Sequence, residues 1–186
     1  MDNGASSYRR FRDGGDETGL AEIIRQYRNG LIFYLYSFVT DLHIAEELAE
    51  DVFVLLGTKK PRDNGKSSVK TWLYTIGRNR ALNYIKKQKR HPAISTEDCP
   101  EMADDRFLPE TMHIQEERKQ HLHKAMQKLK AEYRQILWLI YFENLSLKDA
   151  AVILKKSVHN TETLVYRARK SLKLQLEMEG FVYEEL

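Results

Sequence analysis

The sequence predicts an all-α protein made of two small helical domains that are joined by a flexible acidic linker. First, the 186 residues include only 9 Gly and 4 Pro, few enough to allow long helices. Second, apolar residues recur every three or four positions through two long stretches, as they do along one face of a helix. Third, residues 92–115 separate these stretches, hold three of the four prolines and show no such spacing. Because 42% of the residues are hydrophobic, the chain can bury a core.

The first domain is predicted over residues 17–91, after an N-terminal extension at 1–16. Apolar side chains at helical spacing predict one helix over 18–39. A second helix is predicted over 42–56, where the preceding Asp41 is a candidate N-cap.

A basic loop and a third helix complete this domain. Residues 57–67 contain a proline and the turn signal Asp-Asn-Gly, so they are predicted as a loop. The helix is expected to begin at Ser67 or Ser68 and to end near Lys89. Its apolar side is predicted to contain Val69, Trp72, Leu73, Ile76 and Leu82, with Trp72 in the core rather than stacked on a base.

The second domain is predicted over residues 116–178, before a short tail at 179–186. An amphipathic helix is expected over 116–130, and a nearly all-apolar one, typical of a buried central helix, over 132–142. Ser146 is a candidate N-cap for a short helix that ends at Leu154. A longer basic helix is expected after the turn at Ser157–Asn160 and ends near Met178, which makes the last two helices a candidate helix-turn-helix.

The sequence offers no constellation for catalysis, so neither an enzyme nor a cofactor or metal site is expected. His121 and His123 lie two residues apart, on opposite sides of a helix. The single cysteine, Cys99, lies among acidic residues, which disfavour a reactive thiolate. With neither a signal peptide nor an apolar run that could span a membrane, the chain is expected to be cytoplasmic and not inserted in a membrane.

Charge is strongly segregated along the chain. Residues 57–91 hold eleven Lys and Arg but only one acid, whereas residues 93–116 hold seven acids and one Arg. A basic surface of this kind attracts the phosphate backbone of DNA or RNA. The plainer alternative is a lysine-rich helix face in contact with solvent.

Three segments resemble the extracytoplasmic-function (ECF) sigma factors of bacterial RNA polymerase. AEELAEDVFVLL (45–56) and VKTWLYTIGRNRALNYIKKQKR (69–90) are similar to conserved region two of that family. YRQILWLIYFENLSLKDAAVILKKSVHNTETLVYRARKSL (133–172) is similar to region four. The resemblance implies a subunit that binds core RNA polymerase and promoter DNA, and that an anti-sigma factor commonly holds inactive.

The resemblance also implies three functional surfaces. The basic loop and third helix would meet the minus-ten element through Lys59, Lys60, Asn64, Lys66, Lys70, Arg78, Asn79, Asn83, Lys86, Lys87 and Arg90. The helix-turn-helix would meet the minus-thirty-five element through Ser157, Asn160, Thr161, Glu162, Thr163, Tyr166, Arg167, Arg169 and Lys170. The second helix would dock on the clamp helices of the polymerase beta-prime subunit through Glu46, Glu47, Glu50, Asp51 and Phe53.

One departure from the family pattern affects DNA recognition. The family usually begins its recognition helix with a Thr-Val-Lys-Ser-Arg type of sequence, and this chain has Asn-Thr-Glu-Thr-Leu at 160–164. Glu162 would either accept a hydrogen bond from a cytosine amino group or favour the helix N-terminus through its dipole.

Two other function classes compete with the sigma-factor hypothesis. A stand-alone helix-turn-helix regulator would not explain why the strongest basic surface lies outside the helix-turn-helix. A nuclease would need convergent carboxylates, and the sequence does not indicate them.

Overall fold

The computed structural model describes residues 4–61, 67–90 and 116–179, apart from the side chains of 116–120 and 123. Every regular element in these residues is helical, which confirms the predicted all-α class. In chain order the elements are α1 (Ala5–Gly14), α2 (Glu17–Val39), α3 (Leu42–Lys59), α4 (Val69–Arg90), α5 (Glu116–Lys128), α6 (Ala131–Leu137), a π turn (Trp138–Phe142), α7 (Leu147–Leu154) and α8 (Val158–Met178).

Side-chain caps fix where several helices begin. The Asp41 carboxylate accepts from the backbone N–H of Ile44, and the hydroxyl of Ser146 accepts from that of Asp149, so both predicted caps are confirmed. Ser157 accepts from the N–H of Asn160 and begins α8 in the same way, so residues 158–160, predicted as part of the turn, are helical. Each such bond satisfies one of the backbone donors that a helix start leaves unpaired.

The core of the first domain forms where α2, α3 and α4 pack together. Its fully buried members include Leu31, Tyr34, Leu35, Leu56, Leu73 and Tyr74. Gly77 lets α4 approach α2 closely, since a Cβ there would lie 3.0 Å from a Leu31 methyl carbon. Trp72 is partly buried against this core, as predicted.

Residues 5–14, predicted as part of an extension, form α1 and pack on α2. Tyr8 and Phe11 are buried in that contact. Gly19 on α2 makes room for it, because a Cβ there would lie 2.3 Å from the Ser7 carbonyl oxygen.

Three further details differ from the sequence predictions. The predicted loop start at 57 is wrong, because α3 continues to Lys59 and ends where Lys60 takes a left-handed conformation (φ 40°). Leu82 is 40% exposed and does not lie on the apolar side of α4. The single helix predicted over 132–142 is divided into α6 and the π turn. Residues 1–3, 62–66, 91–115 and 180–186 lie outside the described residues.

The second domain has its core between α5, α6, α7 and α8, around Ile136, Leu137, Leu139 and Ile153. It also packs directly on the first domain: α7 lies against α4, and α6 and the π turn lie against α2. The sequence did not predict this contact. Among the helices that the structure describes, none is long and apolar enough to cross a membrane.

Candidate nucleic-acid interface

The exposed basic surface of the first domain lies on the second half of α4. Asn79, Asn83, Lys86 and Arg90 follow one another at intervals of four, three and four residues, so they share one helix face. Asn83, Lys86 and Arg90 are exposed, and Asn79 is half-buried. Lys87 is exposed on the flank of this face. We call this set the α4 surface.

The remaining residues predicted for the minus-ten element differ in how exposed they are to solvent. Lys59 and Lys60 are exposed at the end of α3, and the Lys60 ammonium lies 4.6 Å from the centre of the Phe11 ring. Arg78 is half-buried, and its Nε is a buried atom without a hydrogen-bond partner in the structure. Asn64 and Lys66 lie outside the described residues.

Lys70 lies at the contact between the domains and not on the α4 surface. Its ammonium is 2.9 Å from the Glu143 carboxylate, and its side chain is only 14% exposed. In this arrangement Lys70 is not available to a DNA phosphate.

The helix-turn-helix presents the exposed start and outer face of α8. Lys155 adopts the left-handed conformation (φ 55°) that makes the turn after α7. Seven of the predicted DNA-binding residues are exposed, and we call them the α8 surface: Ser157, Asn160, Glu162, Tyr166, Arg167, Arg169 and Lys170. Tyr166, at 69% exposure, has little contact with the protein and is open to a ligand.

The two threonines of this helix are less available. Thr161 is fully buried, and its hydroxyl donates to the Ser157 carbonyl at 2.9 Å. The structure therefore places Thr161 on the inner side of α8 and not on its exposed outer face. Thr163 is half-buried, and its hydroxyl donates to the His159 carbonyl.

Acidic side chains form a partly paired surface on α3. Arg28 on α2 lies 3.7 Å from Glu46 and 3.9 Å from Glu50, and Arg80 on α4 lies 2.6 Å from Asp51. Glu47 is 60% exposed beside His43 at 3.4 Å. We call these four acids the α3 surface.

Phe53, which was predicted to belong with these acids, is only 6% exposed and lies in the core. Its side chain packs against the inner side of the first domain and supports α3 there.

The described part of the chain shows no group of three or more His, Cys, Asp or Glu that could hold a metal ion.

Sequence reasoning missed the residues that join the two domains. Trp138 and Glu143 of the second domain contact Gly30 and Lys70 of the first. The sequence contains no signal for this contact, because these residues are far apart along the chain and no spacing rule connects them.

Comparisons with known proteins identify the family of this chain. The family model Sigma-70 region 2 matches residues 23–91, and the model Sigma-70, region 4 matches residues 119–172. The ECF RNA polymerase sigma factor SigM of Bacillus subtilis is 32% identical over 152 residues, which cover 82% of this chain and 91% of that protein. This chain belongs to the ECF sigma factors of the sigma-70 family. The sigma-H factor of Pseudomonas aeruginosa is 26% identical over 171 residues, or 88% of this chain and 89% of the relative.

Solved structures of sigma factors share the fold. RpoE of Bartonella quintana, solved with the anti-sigma factor NepR, has a TM-score of 0.63 and 22% identity over 84% of this chain and 96% of that one. CnrH, solved with the cytosolic domain of CnrY, has a TM-score of 0.61 and 17% identity over 95% and 96%. The α4 surface therefore lies in region 2 of a sigma factor, and the α8 surface in region 4. Sigma factors of this family are initiation factors that recognise promoters with RNA polymerase, and no catalytic activity is indicated for this one.

Proposed function

We propose that this sigma factor docks on core RNA polymerase through the α3 surface and reads the two promoter elements through the α4 and α8 surfaces. The observation that carries the proposal is the separation of charge on neighbouring helices. Glu47 and Glu50 are exposed on α3, while exposed lysines and arginines cover the end of α4 and the outer face of α8. A basic protein partner would select the first surface, and DNA would select the other two.

The α4 surface fits the minus-ten element, where the duplex opens. Flipping a base out of the stack costs a few kcal/mol, and contacts to the exposed base and its phosphates must offset that cost. Asn79 and Asn83 supply amide donors and acceptors for a base edge, while Lys86 and Arg90 on the same face attract the strand. The opposite side of α4 is buried at Leu73, Tyr74 and Ala81, which anchors the helix that carries this surface.

The α8 surface fits duplex DNA at the minus-thirty-five element. In a helix-turn-helix, the start of the second helix contacts base edges in the major groove. Asn160 and Glu162 are exposed at that start, and Arg167, Arg169 and Lys170 are placed further along to contact phosphates. Thr163 follows Glu162 in the same helical turn, and its half-buried side chain borders the residues that would contact bases.

The α3 surface fits the basic clamp helices of the polymerase. Glu47 is the most informative member for a mutation, because Glu46, Glu50 and Asp51 also lie near arginines of this chain.

We extend the proposal to the regulation of the protein and to its location in the cell. An anti-sigma factor of the kind seen with the two structural relatives would bind this chain in the cytoplasm, where the polymerase works.

A pull-down with purified core polymerase, followed by transcription from a template selected out of a randomised library, tests the proposal. We expect Glu47→Lys to keep the helical content of the parent and to reduce core binding at least tenfold. Glu17→Lys is the matched control, since Glu17 is an exposed acid on α2 outside the three surfaces.

The opposite result has a clear meaning. If the chain alone binds one duplex sequence tightly, and core polymerase neither binds it nor changes that preference, then it is a stand-alone regulator and the proposal is wrong.

A further inference from the structure

We propose that Tyr8 and Phe11 of α1 are positioning residues for the minus-ten element: they hold Lys60 and Pro61, where the chain leaves α3, in the arrangement that promoter DNA meets. The inference deepens the proposed function and rests on it, because Lys60 belongs to the residues predicted for that element. Neither Tyr8 nor Phe11 would touch DNA itself, since both side chains are buried.

α1 is fixed to α2 on two sides. On the inner side, a Cβ on Gly19 would lie 2.3 Å from the Ser7 carbonyl oxygen, so glycine lets α1 lie this close. On the outer side, the Ser7 hydroxyl donates to the Glu22 carboxylate at 2.7 Å, and the Arg10 guanidinium pairs with the same carboxylate. A helix held on both sides can serve as a fixed support for residues of another segment.

The Tyr8 hydroxyl reaches the segment that follows α3. It donates to the carbonyl of Pro61, 53 residues further along the chain. A phenylalanine would fill the core equally well, so what the hydroxyl adds is this bond to Pro61. Together with the φ angle that the proline ring fixes, a bond on the Pro61 carbonyl restrains the direction in which the chain leaves α3.

Phe11 holds the side chain of the preceding residue, Lys60. The Lys60 ammonium lies 4.6 Å from the centre of the Phe11 ring, within the range of a cation–π contact. Lys60 is nevertheless exposed. A carboxylate at this place would cancel the charge, whereas a ring face attracts the ammonium and leaves its charge for a DNA phosphate.

The backbone of Lys60 also needs support. It takes the left-handed conformation (φ 40°), which is unfavourable for a lysine, and its N–H donates to the Leu56 carbonyl at 3.2 Å. Such a conformation persists where the surrounding contacts determine it. Three contacts act here on two consecutive residues: the helix-end bond on the Lys60 N–H, the Phe11 ring beside the Lys60 ammonium, and the Tyr8 hydroxyl on the Pro61 carbonyl.

These contacts would raise the affinity for promoter DNA by keeping the end of α3 in one arrangement. The strand binds the arrangement that presents Lys60 correctly, so the apparent affinity falls with the fraction of molecules in that arrangement. Lys60 and Pro61 belong to neither the α3 surface nor the α8 surface. Loss of the contacts from α1 should therefore weaken binding at the minus-ten element alone.

Binding of the holoenzyme to a single non-template strand that carries the minus-ten element of the selected promoter tests the positioning. We expect Tyr8→Phe to weaken this binding roughly two- to tenfold, the range that one net hydrogen bond allows. Phe11→Leu should weaken it roughly two- to fivefold, the range of an exposed cation–π contact. Binding to core polymerase and to the upstream duplex should not change.

Two variants before the start of α3 are matched controls for a loss of stability. Ser37→Ala removes a buried hydroxyl that donates to a backbone carbonyl, that of Tyr34 at 2.6 Å. Phe38→Leu shortens an aromatic side chain that packs on the core at the end of α2. Both residues precede α3, whereas Lys60 follows its 18 residues, which span about 27 Å. Unchanged strand binding in either folded α1 variant, or equal losses in the two controls, would overturn the proposal.

A double-mutant cycle separates positioning from packing. Lys60→Gln removes the charge that Phe11 holds, so Phe11→Leu should add no further loss in a Lys60→Gln chain. A full additional loss, or strand binding by the Lys60→Gln chain equal to that of the parent, would overturn the proposal. Failure of the proposed function looks different: the parent holoenzyme would then bind the minus-ten strand no more tightly than a scrambled strand.

Discussion

The two helices that we propose to read DNA, α4 and α8, are of similar length but differ in how the rest of the molecule holds them. α4 has Leu73 and Tyr74 fully buried in its first half, and its first turn is tied to the second domain through Lys70. α8 is attached by a narrower apolar stripe that includes Leu164 and Ala168, and its first three residues, 158–160, are exposed.

This difference indicates different tasks. A helix buried on one side and exposed on the other is a rigid support, suited to hold a base that has left the duplex. A helix with an exposed first turn can enter the major groove of a duplex that is already formed.

The largest effect is expected when the α4 surface loses both amides. Asn79→Ala together with Asn83→Ala should lower open-complex formation by roughly 30-fold or more, since two lost base contacts at about 1–3 kcal/mol each sum to at least about 2 kcal/mol. Binding to the upstream duplex should not change. Permanganate footprinting of unpaired thymines measures the opening, with Asn29→Ala, an exposed amide on α2, as the control. Equal loss at both elements would show that the two helices are not specialised.

A smaller effect is expected from the α8 surface. Replacing Arg167 and Arg169 by Ala should weaken upstream binding uniformly across sequences. It should also reduce the slope of log affinity against log salt concentration by the amount expected for about two lost phosphate contacts. Titrations of the holoenzyme with duplex DNA at several salt concentrations provide the measurement. Arg25→Ala removes an exposed charge elsewhere and should leave the slope unchanged. A changed base preference would mean that these arginines read bases.

Glu162→Lys is expected to change preference more than affinity. If Glu162 accepts from a cytosine, the preference at one upstream position should shift by about 1–3 kcal/mol. If it only interacts with the helix dipole, binding should rise on all sequences alike as a repulsive charge is removed. Selection from randomised upstream elements separates the two, and Glu162→Gln keeps the shape without the charge. An unchanged profile at unchanged affinity would contradict both roles.

The smallest effect is expected when the serines at the starts of the two helices are replaced. Ser157→Ala should lower the free energy of unfolding by about 1 kcal/mol, the usual cost of a lost N-cap. Ser68→Ala should cost more, because the Ser68 hydroxyl accepts from the Thr71 N–H and also bonds the Thr71 hydroxyl that contacts Asp149. Urea unfolding measures both, and the exposed Ser67→Ala serves as control. Equal losses would mean that the start of α4 has no added role.

Helical spacing predicted α2, α3, α4, α7 and α8 because each buries a regular apolar stripe. It missed α1, where Tyr8 and Phe11 are the buried residues among several arginines. The caps at Asp41 and Ser146 were predictable because a capping bond is local. The contact between domains was not, because Glu143 and Lys70 are ordinary surface residue types that meet only after folding.

Thr161 and Phe53 show a different limit. The family pattern assigned them to binding surfaces, but such a pattern identifies a position and not the direction of its side chain. Spacing could have corrected this. Thr161 precedes Leu164 and Ala168 by three and seven residues, which is the period of the buried stripe of α8. Phe53 likewise precedes the buried Leu56 of α3 by three residues.

Site-specific photocrosslinking in the holoenzyme tests the central claim most directly. A photoreactive side chain is placed at Asn83 or at Glu162, and the crosslinked DNA position is mapped on a selected promoter. We predict that position 83 crosslinks the non-template strand at the minus-ten element and that position 162 crosslinks about 25 base pairs upstream, one element for each domain. Crosslinks from both positions to the same element would contradict the account.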